Sequence, residues 1–144
     1  MHESLPCRRG RRLPLQVRYA DTDAQGHVFF ANYLTYCDEG FLAYLREIGY
    51  SWDKMLNMGV ELYYAQARCN FKAPTFFEEL LHVHTYIARV GDTSLTAESA
   101  IYRAKSDELV ATGEITAVMV IKGTGKPTPI PDKLLHAVWS YQDS

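Results

Sequence analysis

The chain has 144 residues, of which 47% are hydrophobic and 22% are charged, and its formal net charge is −2. These values are typical of one soluble globular domain and exclude a general electrostatic attraction to nucleic acid or anionic membranes. No apolar run reaches the roughly 18 to 20 residues of a membrane-spanning helix. The three widely spaced cysteines, Cys7, Cys37 and Cys69, exclude a disulfide framework or a CxxC zinc site and favour a reducing cytoplasm.

The N-terminus is rich in arginine and has no apolar pattern. Residues 1–12, MHESLPCRRGRR, carry four arginines. Such a segment could be a nucleic-acid arm or the remainder of a targeting peptide, but a solvated terminal tail is more common. We expect a flexible tail over 1–12, a single folded domain over 13–139 and a C-terminal tail over 140–144.

A strand, a polar loop and a long helix are predicted next. Residues 13–20, LPLQVRYA, alternate apolar and polar side chains, which is typical of a strand. The acidic loop DTDAQG follows. From about 30 to 48, apolar side chains recur every three or four positions, which predicts an amphipathic helix; they are Leu34, Cys37, Phe41, Leu45 and Ile48. Gly49 is suited to a left-handed C-terminal cap.

A short helix and four strands complete the predicted elements. The helix covers 51–59, with Ser51 as its N-cap. The strands cover 60–71, 79–90, 93–104 and 108–121, and residues 131–139 are expected to form a helical turn. This order predicts an α+β fold in which a five-stranded antiparallel sheet wraps around one long central helix. Because one helix covers only one face of the sheet, we expect at least a homodimer.

Several sites that use this type of acidic loop are poorly matched. With Asp21 as position 1, a calcium-binding EF-hand would need Asp or Asn in place of Gln25 and Glu in place of Asn32. A phosphatase D-x-D-x-T motif would need Thr in place of Gln25. The P-loop, dinucleotide-binding and G-x-S-x-G patterns are absent. His82 and His84 share one face of a predicted strand, but no third metal ligand is near them in the sequence.

Two interpretations of the loop stay open on these grounds. Asp23 or Thr22 could simply cap the loop before the helix. Alternatively, the unpaired N–H groups and the positive end of the helix could stabilise an oxyanion, while the carboxylate attacks a carbonyl carbon or activates water. In that case Gly26 would let the backbone approach the ligand closely.

The loop and the helix start resemble the hotdog-fold acyl-CoA thioesterases of the 4-hydroxybenzoyl-CoA thioesterase type. The pattern of that family is D-x-D-x-x-G-x-V, then N-Y at the start of the central helix, and the residues here are DTDAQGHVFFANYLTYCDE. Weaker similarities extend the resemblance over about 14–133, in FLAYLREIG, ARCNFKAPTFFEEL, GDTSLTAES and PTPIP. The chain departs from the family at Cys37-Asp38, where Phe-Glu is usual.

The resemblance implies a hotdog fold, a homodimer that often forms a dimer of dimers, and an active site at the dimer interface with no metal or organic cofactor. Asp23 matches the catalytic aspartate, a nucleophile or general base, and the backbone N–H of Phe30 matches the group that polarises the thioester carbonyl. His27 is a further candidate for a direct role. Structural support is expected from Asp21, Gly26 and Asn32.

Candidate substrate-binding residues are Phe29 and Tyr33 for the acyl group and Arg68 and Arg89 for the phosphates of coenzyme A. The substrate would be an acyl-CoA, and the acyl group is left open. A non-catalytic hotdog protein that binds acyl-CoA and a hotdog dehydratase are the alternatives.

Overall fold

The structure is a computed structural model that describes residues 9–143. Its elements follow the predicted order and are separated by short loops. They are β1 (Arg11–Gln16), a 3-10 turn (Tyr19–Asp21), α1 (Asn32–Glu47), α2 (Trp52–Asn57), β2 (Val60–Phe71), β3 (Leu80–Val90), β4 (Ser94–Arg103), β5 (Leu109–Ile121) and α3 (Asp132–Gln142).

The five strands form one antiparallel sheet in the order β1-β3-β4-β5-β2. This confirms the predicted α+β fold, with β1 and β2 as the edge strands. Side chains alternate between an inner face, which packs against α1, and an outer face. Val83 and Ile115 are buried on the inner face, whereas Glu114 and Arg68 lie on the outer face.

The apolar stripe predicted on α1 is buried at its centre and half-buried at its ends, Leu34 and Ile48. Cys37, Phe41 and Leu45 are each at most 1% exposed. Tyr44 is buried in a cluster that includes Leu134 and Val138 of α3, whereas Tyr36 is buried in a second cluster with Val17 and Val28. Gly49 has a φ of 91°, which confirms the predicted left-handed cap.

The structure corrects the predicted end of the chain. A helical turn over 131–139 and a tail from 140 were expected, but α3 continues to Gln142. The Gln142 side chain explains the difference, since its Oε1 accepts hydrogen bonds from Tyr44 Oη (2.7 Å) and the Ile87 N–H (2.7 Å). The side chain therefore fastens the last turn of α3 to α1 and β3.

The structure also corrects both ends of the first strand. Residues 11–12 were expected in the tail, but they pair with His84 and Thr85 of β3 as part of β1, while residues 1–8 lie outside the described part. The strand was expected to reach 20 and ends at Gln16. The chain then turns because the Asp21 carboxylate accepts the backbone N–H of Arg18 (3.0 Å), which closes the 3-10 turn.

Candidate active site

The acidic loop folds into a small hairpin that ends in front of α1. Thr22 and Val28 form a β-bridge, and the Asp23 N–H donates to the His27 carbonyl (3.0 Å). Gly26 has a φ of 86°, and a Cβ there would meet no atom within 4 Å. Within the chain, the left-handed backbone rather than a close approach therefore requires glycine at this position.

The Asp23 side chain is half-buried and has one free oxygen. Its Oδ1 accepts the backbone N–H of Gln25 (2.9 Å). Its Oδ2 makes no hydrogen bond to any atom of residues 9–143. A carboxylate that is fixed through one oxygen can use the other to attack a carbonyl or to accept a proton.

The backbone N–H of Phe30 is a free donor in front of α1. The helix begins at Asn32, and the Asn32 N–H donates to the Phe29 carbonyl (2.8 Å). Because a trans peptide is planar, the N–H of Phe30 points opposite to that carbonyl and away from the helix. Within residues 9–143, neither this N–H nor that of Ala31 has an acceptor. The helix dipole adds partial positive charge at the same place.

Asp21, two residues before Asp23, is buried, and both of its carboxylate oxygens accept hydrogen bonds. Its Oδ1 accepts from Arg18 Nη2 (2.8 Å), and its Oδ2 accepts from the Arg18 N–H (3.0 Å) and Tyr36 Oη (2.8 Å). Burial alone raises the pKa of Asp21, but the hydrogen bonds from Arg18 and Tyr36 outweigh it, so the pKa is lowered and the group is ionised. Neither carboxylate oxygen is free for chemistry.

A cleft of about 280 Å³ lies between the hairpin, the start of α1 and the end of β2; it is lined by His27, Val28, Phe30, Tyr33, Phe71, Lys72, Ala73 and Pro74. Asp23 does not line this cleft in the single chain, but its backbone bond to His27 places it beside the cleft wall. His27 Nδ1 lies 3.2 Å from the Val28 carbonyl oxygen. When Nδ1 carries the proton, Nε2 is left as a free acceptor.

The wall formed by residues 71–74 was not predicted from the sequence. It reaches the helix start because β2 runs antiparallel to α1 and ends there, where the Phe71 ring meets the rings of Phe30 (6.2 Å between centroids) and Tyr33 (5.3 Å). Phe29 packs against Phe30 at 4.9 Å. Phe29, Phe30 and Phe71 are 43%, 62% and 51% exposed, an aromatic patch that is unusual for a free surface.

The candidate phosphate-binding arginines lie away from this cleft. Arg68 and Arg89 both pair with Glu114 on the outer face of the sheet. The hydrogen bond from Arg68, followed by weaker effects of Arg89, lowers the pKa of Glu114. In the single chain both arginines therefore pair with Glu114, and neither lines the cleft at the helix start.

The histidine pair lies on the outer face as well. His82 Nδ1 accepts from Arg12 Nε (3.1 Å). Residues 9–143 contain no group of three or more His, Cys, Asp or Glu side chains placed to hold a metal ion. No helix in the same part of the chain is long and apolar enough to cross a membrane.

Comparisons with known proteins match this architecture. The thioesterase-like superfamily matches residues 17–138. A protein of Aquifex aeolicus, named provisionally as an esterase, is 31% identical over 123 residues, covering 85% of this chain and 93% of that protein. The acyl-CoA thioester hydrolase YbgC of Escherichia coli is 27% identical over 124 residues, covering 86% and 92%.

Solved structures agree with these sequence matches. The 1,4-dihydroxy-2-naphthoyl-CoA thioesterase Slr0204 of Synechocystis superposes with a TM-score of 0.81 at 26% identity, covering 88% of this chain and 93% of that chain. These likenesses confirm the predicted hotdog fold.

Proposed function

The chain belongs to the thioesterase-like superfamily, and we propose that it is an acyl-CoA thioesterase, which hydrolyses the thioester to a carboxylic acid and coenzyme A. The observation that carries this proposal is the pair of unsatisfied groups in one motif. The Phe30 N–H lacks an acceptor and Asp23 Oδ2 lacks a donor within residues 9–143. These are the donor and the acid that thioester hydrolysis requires.

In the proposed mechanism the thioester oxygen accepts the Phe30 N–H at the positive end of α1. As the carbonyl carbon is attacked, negative charge develops on that oxygen, and the N–H stabilises it. Removing one such donor typically costs about 10² to 10³ in rate. His27 contacts the substrate at the cleft or holds the hairpin through its backbone bond to Asp23.

Asp23 acts in one of two ways. As a nucleophile, Oδ2 attacks the carbonyl carbon, the coenzyme A thiolate leaves, and water hydrolyses the resulting anhydride. As a general base, Oδ2 takes a proton from a water molecule, whose oxygen attacks the same carbon. Both routes consume one water and give the same products. The resemblance to the 4-hydroxybenzoyl-CoA thioesterase type supports Asp23 as the reacting acid in either case.

We place the enzyme in the cytoplasm as a homodimer that pairs further into a dimer of dimers. The edge strand β2 and the aromatic patch beside the cleft are exposed in the single chain. Such surfaces are usually covered, which supports an interface with a second copy there. The free thiols of Cys37 and Cys69 suit a reducing compartment.

A panel of acyl-CoAs assayed with a thiol-trapping dye tests the function. The panel should hold aromatic, short aliphatic and long aliphatic acyl groups, since relatives are named for 1,4-dihydroxy-2-naphthoyl-CoA and gentisyl-CoA. We expect catalytic release of coenzyme A from at least one of them. Saturable binding with no release across the panel would favour the non-catalytic acyl-CoA-binding protein.

A further inference from the structure

A buried hydrogen-bond network connects the second turn of α1 to the loop that precedes it. Tyr36 Oη donates to Asp21 Oδ2 (2.8 Å), and the two residues are only 3% and 4% exposed. One turn earlier on the same helix face, Asn32 Nδ2 donates to the Asp21 carbonyl (2.9 Å). Two successive turns of α1 therefore hold one loop residue through two different groups.

The Asp21 carbonyl also binds the residue that precedes the free donor. It accepts the Phe29 N–H (2.9 Å), while the Phe29 carbonyl accepts the Asn32 N–H (2.8 Å). The first bond holds the Val28–Phe29 peptide and the second holds the Phe29–Phe30 peptide, so Phe29 is fixed through the peptides on both of its sides. Because the Phe29–Phe30 peptide is planar, the Phe29 carbonyl sets the direction of the Phe30 N–H. A shift of Asp21 would reach that peptide through the backbone angles of Phe29.

Arg18 holds Asp21 from the opposite side. Its guanidinium and its backbone N–H bind the two carboxylate oxygens at 2.8 and 3.0 Å, and its side chain is 73% exposed. Without the Tyr36 hydroxyl, Oδ2 would keep only donors from Arg18. A buried carboxylate oxygen that loses a donor is destabilised, and we expect Asp21 to shift toward Arg18 and away from α1.

We propose that Tyr36 is a positioning residue for the reaction. Its hydroxyl fixes Asp21 against α1, and the Asp21 carbonyl fixes the N–H of Phe29, so that the adjoining Phe29–Phe30 peptide keeps the Phe30 N–H directed at the thioester oxygen. This inference rests on the proposed function. Tyr36 does not line the cleft, so it acts on the developing oxyanion and not on substrate binding.

Tyr36→Phe and Tyr44→Phe form a matched pair for the test. Both tyrosines are buried on α1, and the Tyr44 hydroxyl likewise donates to one acceptor, Gln142 Oε1 (2.7 Å). We expect Tyr36→Phe to lower kcat by about 10-fold to 100-fold with little change in KM, as small misplacements at a reacting centre do. Tyr44→Phe should lower thermal stability by a similar amount and leave kcat unchanged.

A spectroscopic measurement follows the donor directly. In an Asp23→Asn background, in which we expect a bound acyl-CoA to be hydrolysed only slowly, isotope-edited infrared spectra report the stretching frequency of the thioester carbonyl. A well-aimed N–H lowers this frequency. Adding Tyr36→Phe should move it toward the value in free solution, and adding Tyr44→Phe should not. If the Tyr36 variant does not fold, Arg18→Met releases Asp21 from its other side; because any displacement of Asp21 should misdirect the Phe30 N–H, the frequency should again move toward the value in free solution.

The outcomes separate the two proposals. Equal kcat values for the Tyr36 and Tyr44 variants, or a carbonyl frequency that neither Tyr36→Phe nor Arg18→Met changes, would overturn the role of Tyr36 while leaving the thioesterase in place. A wild-type protein that releases no coenzyme A would instead overturn the proposed function.

Discussion

At the scale of single residues, two aspartates in one loop have opposite surroundings. Asp21 is buried, and both of its carboxylate oxygens accept hydrogen bonds. Asp23 is half-buried and has a free Oδ2. Because the residue type is the same, the difference lies in the number of hydrogen-bond donors around each carboxylate. Asp21 is accordingly a structural acid and Asp23 a candidate catalytic one.

Removing the Arg18 side chain should change the acid stability of the protein. The folded-state pKa of Asp21 is lowered, so its ionisation stabilises the fold above the ordinary pKa of about 3.9, and this contribution is lost as the pH falls through the folded-state value. Arg18→Met raises that folded-state pKa. We expect the variant to have a lower Tm than wild type near pH 7, and the difference to shrink as the pH falls below about 4. A Tm difference that stays constant from pH 7 to pH 3 would contradict this account of Asp21.

At the scale of secondary-structure elements, a glycine sets the distance between α1 and the sheet. Glycine inside a helix usually costs about 0.5 to 1 kcal/mol relative to alanine. A Cβ at Gly40, however, would lie 2.5 Å from Thr85 Oγ1 and 2.7 Å from Val83 Cγ1 of β3. The close contact between the central helix and the inner face of the sheet therefore requires the absence of a side chain here.

Gly40→Ala should consequently destabilise the protein, although alanine has a higher helix propensity than glycine. Overpacking of this kind typically costs about 1 to 3 kcal/mol of unfolding free energy. Thr35→Ala, on the exposed side of the same helix, is the matched control and should stay within about 0.5 kcal/mol of wild type. Chemical denaturation measures both. A Gly40→Ala protein at least as stable as wild type would show that α1 and β3 are not in close contact.

The periodic elements were predictable from the sequence, and the tertiary contacts were not. β2 matches its predicted range of 60–71, because apolar alternation and flanking turn residues are local signals. α3 was underestimated, since its last turn depends on Gln142 reaching Tyr44 and Ile87. In the candidate site, the motif predicted the roles of Asp21, Asp23 and the Phe30 amide, and the catalytic roles stay predictions. The role of Tyr36 depends on a side chain meeting Asp21 across fifteen positions, which no local pattern reveals.

At the scale of the whole molecule, β2 is a long edge strand with an open side. Residues 63–68 are all exposed, and the partner strand β5 pairs with only one side of β2. Proteins normally protect such an edge. A second copy related by a two-fold axis would pair the strand with itself and cover the nearby aromatic patch.

A charge placed at the middle of this strand should weaken the dimer. In a two-fold pairing, residues near the middle of 63–68 lie close to their own copies, so Ala65→Arg brings like charges together. We expect light scattering to give at least twice the mass of one chain, and four times that mass for the proposed dimer of dimers, for wild type and for Ser106→Arg, which adds the same charge in the exposed turn between β4 and β5. Ala65→Arg should shift the mass toward the single chain. A wild-type mass of one chain would contradict the dimer, and an unchanged Ala65→Arg dimer would place the interface elsewhere.

The most direct test of the central claim is the turnover of Asp23→Asn. The amide keeps the size of the side chain and can still accept the Gln25 N–H, but it can act neither as a nucleophile nor as a base. With an acyl-CoA that wild type hydrolyses, we expect kcat to fall by about 10² to 10⁴ while Tm stays close to wild type. The control Asp53→Asn, on the exposed surface of α2, should keep full activity. A folded Asp23→Asn protein that releases coenzyme A at the wild-type rate would contradict the account.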